Sequence, residues 1–465
     1  MPAPHVDAGA PAPVGPRLAA SEIVAFALPS FGLGISFLLN ALLLMKFAIE
    51  VLHVAPVAIG AILLGARVWD AVSDPIVGNL SDRTRSRFGR RRPWLVASVL
   101  PIAVGIAMIW SPPAALEGSA LTAWMAAAIL VFYTAITIFS VPYYSLGAEL
   151  SPDYHERSRV FAFQQGFMIA ATLLAGVLAS GVLEWADDPR AAARAMAVGV
   201  ALLMAGTIAV CVGRVRERAA LAPRAERRLV RAMRDVFANP HARLLYLTYV
   251  IETAGTAAIG SVAAYYTDHV LQAASYLPFF LAFYVVPGLA LIPLVLRVSR
   301  RVGKVRAWQA SLCLQAVAFL ALATLSAGDF WIACAFVAFL SVGATAGQVL
   351  APSVQSDVVD WDELATGERK EGAYFATRNF FLKVAYGFGP LTLGVVFHAT
   401  GSDGAEVVTE GAILGMRVLI GVMPAIGALL GALVLTRFRL TEAEHARIRA
   451  AIEERDRERL AAAAS

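Results

Sequence analysis

Asp70 and Asp74 stand one helical turn apart inside an apolar stretch that runs from about residue 55 to residue 80, with Ser73 between them and Arg67 three residues before. A charged side chain at the centre of a bilayer helix costs about 2.5–3.5 kcal/mol on insertion scales, so two carboxylates there imply a use, a path for an ion or a polar solute. Side chains four apart stack on one helix face. Carboxylates so placed can share a proton, or offer oxygen ligands to a small hard cation with hydroxyls completing the shell. Ser73 and Thr137 are the candidate hydroxyls.

Helix rise gives the depth of these groups. Asp82 and Arg83 mark the end of the apolar stretch, and Asp70 lies twelve residues earlier, about 18 Å at 1.5 Å per residue and so near the middle of a ~30 Å hydrocarbon layer. Lys383 lies eleven residues past Gly372, where another apolar stretch begins. That is about 16 Å by the same rise, so the amine and the two acids share a depth. Buried charges need partners, and these are the natural ones. An ion pair that only docks helices is the alternative, although such a pair gains little over apolar packing. Glu252 is intramembrane by the same count, with no role that its surroundings in the sequence assign.

The elements that position these residues follow from composition. The chain has 465 residues, 58% hydrophobic and 16% charged, against about 25% charged in soluble domains. Apolar runs of bilayer-crossing length recur along it, which predicts an all-α membrane protein. A transmembrane barrel would show short alternating segments instead. Twelve transmembrane helices are expected, at 22–48, 55–80, 93–111, 120–148, 161–183, 195–213, 243–267, 276–297, 307–326, 329–350, 373–398 and 411–436.

The net charge of +5 is not a nucleic-acid signal, because the arginines gather at particular helix ends. The connections after even-numbered spans hold Arg83 to Arg92, Arg157 and Arg159, Arg214 to Arg234 and Arg297 to Arg306. The others are short and neutral or acidic, except for the one with Arg190 and Arg194. By the positive-inside rule both termini face the cytoplasm, as expected for a multi-pass protein of the cell (cytoplasmic or inner) membrane. A monomer is expected.

Five segments follow: a disordered tail at 1–20, a six-helix bundle at 21–213, a cytoplasmic linker at 214–240, a second six-helix bundle at 241–437 and a cytoplasmic tail at 438–465. The tail lacks a charged start and a cleavage site, so the first span is expected to be retained. The linker has the basic amphipathic pattern of a helix lying on the anionic inner leaflet, or of a solvated connection. An internal repeat supports two halves, because FGRRRPW (88–94) recurs as VGKVRAW (302–308), 214 residues later. The same offset carries Asp70 and Asp74 onto Tyr284 and Gly288, so the acids belong to the first half alone.

Nothing in the chain suggests an enzyme. The seven histidines are scattered, with no HExxH, CxxC, Walker loop or G-x-S-x-G elbow. Cys211, Cys313 and Cys334 all lie in apolar spans, so no disulfide framework is indicated. No cofactor is expected beyond a coupling ion.

Three segments carry a resemblance. RVWDAVSDPIVGNLSDRTRSRFGRRRPW (67–94), SVPYYSLGAELSPDYHERSR (140–159) and SDVVDWDELATGERKEGAYFATRNFFLK (356–383) are similar, in order and topology, to signatures of the melibiose permease family. These are the glycoside–pentoside–hexuronide:cation symporters of the major facilitator superfamily. The resemblance spans about 20–440 and implies the major facilitator fold, with a solute site at the midplane between the halves. It implies a cation-coupled symporter working by alternating access, with Na+, Li+ or H+ as coupling ion and a sugar or glycoside as solute. Asp70, Asp74 and Thr137 match the family's cation site, with Ser73 where asparagine is frequent, which leaves Na+ and H+ both open. Lys383 and Arg67 match its charged partners.

Candidate solute-binding positions depart from the pattern. Ser30 and Ser140 stand where sugar-transporting members carry aspartates, Tyr144 replaces a tryptophan, and Gln164 or Gln165 replaces an arginine. Arg378 and Asn379, beside Lys383, complete the set. Charge-assisted hydrogen bonds are about twice as strong as neutral ones, so these losses change the solute that is selected. An amphipathic, lysolipid-type solute is the alternative, and a sensor that binds without translocating is another. Arg83, Glu149, Arg157, Asp357, Asp360 and Arg369 are candidate cytoplasmic gate residues. The expected partners are the solute, the cation and the lipid bilayer.

Overall fold

Proline and side-chain caps set the helix starts. Pro56, Pro189 and Pro240 occupy first turns, where a missing N–H costs nothing. Asp188 accepts from the backbone N–H groups of Arg190 and Ala191, and Asn239 from those of His241 and Ala242. The structure, a computed structural model, describes residues 18–151, 154–183, 185–217, 234, 236–368, 370–402, 408–440 and 442–464, without the side chains of 154, 155, 157, 158, 183, 442, 443, 456 and 459–464. The tail at 1–17, most of the linker with its expected amphipathic helix, Arg369 and the side chain of Arg157 lie outside the described residues.

The helices are α1 (Ala20–Leu42, continued by Leu44–Lys46 and a π-helical turn, Phe47–Val51), α2 (Pro56–Arg83), α3 (Arg92–Trp110), α4 (Gly118–Glu149), α5 (Tyr154–Leu183) and α6 (Pro189–Arg214). The second set is α7 (Pro240–Thr256, then Ile259–Tyr265 and a π-helical turn, Tyr266–Val270), α8 (Leu277–Ala290 with Ile292–Val302), α9 (Lys304–Thr324), α10 (Phe330–Thr366), α11 (Glu371–Ala399) and α12 (Glu410–Arg417, continued by Val418–Val422 and Met423–Leu435). A further helix, α13 (Glu442–Ala464), occupies the segment expected to be a tail. Eleven helices among the described residues are long and apolar enough to cross a membrane, or twelve if α8, bent by 50° at its break, is counted as one span. The tenth span runs well past the expected residue 350, because the acidic stretch SDVVDWDELAT continues the helix out of the apolar zone. There α13 packs against it, with His445 Nε2 3.0 Å from Asp360 Oδ2.

The two sets of six share one packing plan. In the first, α1 packs on α5 and α6, α4 on α2 and α3, and α3 on α6. The second repeats every pairing six helices later: α7 on α11 and α12, α10 on α8 and α9, and α9 on α12. Backbone specials repeat as well. Gly89 and Gly303, 214 residues apart in the short loops of the sequence repeat, have φ of 102° and 89°, a region that favours glycine. The π-helical turns ending α1 and α7 lie 219 residues apart, and so do His53 and Gln272, with φ of 57° and 52°.

The halves meet through α2 on α11, α5 on α8 and α1 on α7. Close approach depends on glycine: a Cβ at Gly60 of α2 would lie 2.7 Å from the Pro390 carbonyl oxygen and 2.8 Å from Leu391 Cα of α11. At the face opposite the ends of the chain, Lys46 of α1 is 2% exposed and pairs with Asp268 of α7. On the terminal face, the described pairs of Glu149 with Arg90 and Arg91 and of Asp357 with Lys304 each lie inside one half. Exposed Leu100, Leu202, Val317 and Leu433 belong to the outward belt, as in a protein that faces lipid.

Candidate functional site

The buried face of α2 carries Ile59, Gly60, Leu63, Ala66, Asp70, Ser73 and Val77, a 3–4 spacing that aims one stripe at the neighbouring helices. Asp70 is on that stripe and 5% exposed. Its Oδ1 accepts from Thr137 Oγ1 of α4 at 2.8 Å, and its Oδ2 lies 2.8 Å from Lys383 Nζ of α11. Lys383 also donates to Asp74 Oδ2. One ammonium therefore clamps both carboxylates, from across the boundary between the halves. Ser73 Oγ sits beside them, donating to the Asp70 carbonyl at 3.2 Å and to Thr137 Oγ1 at 3.4 Å.

This arrangement leaves acceptor capacity. Two carboxylates against one amine carry a net charge of −1 when all three are ionised, and Asp74 Oδ1 is buried with no hydrogen-bond partner among the described residues. The Asp70 and Asp74 carboxyls with the Thr137 and Ser73 hydroxyls form the all-oxygen donor set that hard cations take.

Arg67, one turn above Asp70, turns away from the acids. Its guanidinium stacks 4.9 Å from the Tyr133 ring centre and lines a cavity with Leu38, Leu63, Met168, Thr172 and Tyr386. The adjoining cavity of about 360 Å³ lies largely in the second half. Its walls are mainly apolar, with Leu38, Leu42, Phe280, Phe319 and Leu340 prominent, and Glu252 and Arg378 are its only charged lining residues. Arg378 lies 4.9 Å from the Tyr249 ring centre, and its Nε and Gln315 Nε2 are buried with no hydrogen-bond partner among the described residues. Glu252, which the sequence left without a role, thus lines this mainly apolar cavity. Its intramembrane depth was the signal that could have found it.

Of the other candidate solute positions, Arg378 alone lines that space. Ser30 is fully buried and bonded to Tyr143 Oη at 2.8 Å, and Tyr143 donates onward to the Phe26 carbonyl. Gln164 is buried as well, whereas Tyr144, Gln165 and Asn379 are exposed and Ser140 is half-buried, none of them on the two cavities. The serine that stands in α1 in place of an aspartate is part of a packed tyrosine contact.

Three of the described gate candidates are paired. Glu149 pairs with Arg90 and Arg91, Asp357 with Lys304, and Asp360 with His445 and Arg449, each within its own half. Arg83 is exposed. None of these described pairs crosses between the halves.

Comparison with known proteins adds the following. Residues 25–442 match the family described as MFS/sugar transport protein. The inner membrane symporter YicJ of Escherichia coli (strain K12) is 26% identical over 85% of this chain and 86% of its own length. A sodium-dependent lysophosphatidylcholine symporter, 1-A, of Danio rerio is 31% identical over 31% of this chain and 27% of its own. Among solved structures, the nucleoside transporter NupG superposes with a TM-score of 0.65 at 12% identity, covering 90% of this chain and all of its own, which shows a shared fold.

Proposed function

The chain belongs to the MFS/sugar transport protein family, a family of multi-pass membrane symporters, and from that premise we propose that it is a cation-coupled symporter working by alternating access. The observation that carries the proposal is Lys383 clamping Asp70 and Asp74 across the boundary between the halves. A sodium ion or a proton that engages the acids weakens the hold of the ammonium. Occupancy therefore changes the attraction between α2 and α11, and only such differential binding can move a two-state equilibrium. Solute binds in the central cavity. The closed face opposite the termini is the extracellular side, because the basic loops mark the terminal side as cytoplasmic.

For the solute, a sugar or glycoside is the reading carried by the family description. Glu252, Gln315, Gln348 and Arg378 can bond hydroxyls, and Tyr249, Tyr284 and Tyr386 offer ring faces. An amphipathic solute is the second reading. It is favoured by the apolar walls around a single acid and a single guanidinium, and by the absence of Ser30 and Ser140 from those walls.

The test is thermal unfolding of purified protein with glycosides or lysolipids, each at varied Na+, Li+ and pH. Binding to the native state raises the midpoint by mass action. The expected result is solute stabilisation that grows with one cation in the wild type and not in Asp74→Asn. Followed in vesicles, the same solute should accumulate only under that cation's gradient. Solute binding that ignores every cation overturns the coupling, and the class that stabilises decides between the two solute readings.

A further inference from the structure

We propose that Glu50, Asp268 and His269 form a site for a divalent transition-metal ion of the zinc type, bridging the halves at the face opposite the termini. Glu50 comes from the π-helical turn ending α1, and Asp268 and His269 from its counterpart ending α7. One ligand atom from each lies within 4.8 Å of the other two. His269 Nε2 is 3.6 Å from Glu50 Oε1 and 3.5 Å from Asp268 Oδ2, and has no hydrogen-bond partner among the described residues. Those separations are long for hydrogen bonds. They approach the ~3.3 Å between two ligands held at about 2.0–2.1 Å around a tetrahedral ion.

Two further observations point the same way. The side chains are about a quarter exposed, at 23%, 28% and 25%, so an ion can enter from solvent with a water as fourth ligand. Both donor turns are π-helical, a local widening that re-aims side chains and is frequent at functional sites.

Lys46 is the competitor. It pairs with Asp268 and stands 3.7 Å from Glu50 Oε2, so the cluster keeps a net charge of −1 with a neutral imidazole. An imidazole with two carboxylates suits zinc better than magnesium, which prefers oxygen alone and holds its water. Because the donors come from both halves, a bound ion holds this face shut.

The probe is zinc chloride added to purified full-length protein, with magnesium chloride as control and the thermal midpoint as readout, which needs neither a solute nor transport. Zinc is expected to raise the wild-type midpoint by about 2 °C or more at saturation, and magnesium to leave it unchanged. The zinc concentration required should rise at least tenfold in His269→Ala and in Glu50→Gln, and fall in Lys46→Gln, which removes the competitor. A wild-type midpoint that zinc does not move overturns the proposal, as does a shift equal in wild type, His269→Ala and Glu50→Gln. If those two variants fail to fold, cobalt(II) on the wild type decides: a visible ligand-field band that zinc bleaches supports the site, and its absence overturns it.

Discussion

The two halves of the molecule repeat each other in architecture and part company in chemistry. Helix pairings, positive-φ glycines and π-helical turns recur at matched positions. The acids do not. Where α2 carries Asp70 and Asp74, the equivalent stretch of α8 carries Tyr284 and Gly288, and the second half contributes Lys383 on α11 and the Glu252–Arg378 wall of the cavity. Under the proposed mechanism, symmetry would serve the rocking of two similar bodies, and asymmetry would let one half bind the cation while the other supplies the charge it displaces and most of the solute pocket.

The strongest way to break this division of labour is Asp70→Asn. It keeps the shape and the Thr137 contact but leaves Lys383 with one carboxylate. Gradient-driven accumulation in vesicles should be lost altogether while the protein still inserts and unfolds cooperatively, and unchanged accumulation would refute the assignment. Arg378→Ala tests the other half. Losing a charge-assisted hydrogen bond worth about 1.5–3 kcal/mol should weaken solute binding about 10–100-fold. Its cation dependence should keep the wild-type midpoint, read from the same thermal shifts. A change in cation affinity instead would mean that the halves do not divide the work.

Smaller effects sharpen the boundary between the halves. Gly60→Ala puts a methyl group against the α11 backbone at Pro390 and Leu391. An overpacking cost of about 1–3 kcal/mol is expected, read as a lower thermal midpoint and easier labelling of cysteines placed at the closed face. Thr137→Ala removes one hydrogen bond to Asp70. At about 0.5–1.5 kcal/mol this should weaken cation activation roughly 2–10-fold, with solute affinity at saturating cation unchanged.

The membrane class, the span count to within one broken helix and the common level of Asp70, Asp74 and Lys383 were legible because they depend on local quantities: apolar run length, a fixed rise per residue and the rarity of charge in apolar segments. The Gly89 and Gly303 turns were legible for the same reason, as a repeated string. The partner of Ser30 was not legible, because a sequence position in a helix says nothing of which neighbour claims the hydroxyl, and Tyr143 does. The partners of the gate candidates were not legible because charge alone does not choose a partner. Glu149 finds Arg90 and Arg91 in its own half, where the chain brings them close.

The sequence by itself determined that carboxylates and an amine lie at one depth in an apolar medium, since burial without a partner is too costly to leave such groups unused. Only the tertiary structure decided that a single lysine reaches both acids, that Glu252 and Arg378 share an apolar cavity, and that Glu50, Asp268 and His269 converge where the halves touch. Those are matters of helix rotation and of which helix faces which. They are set by packing among residues far apart in the chain, so no local pattern carries them.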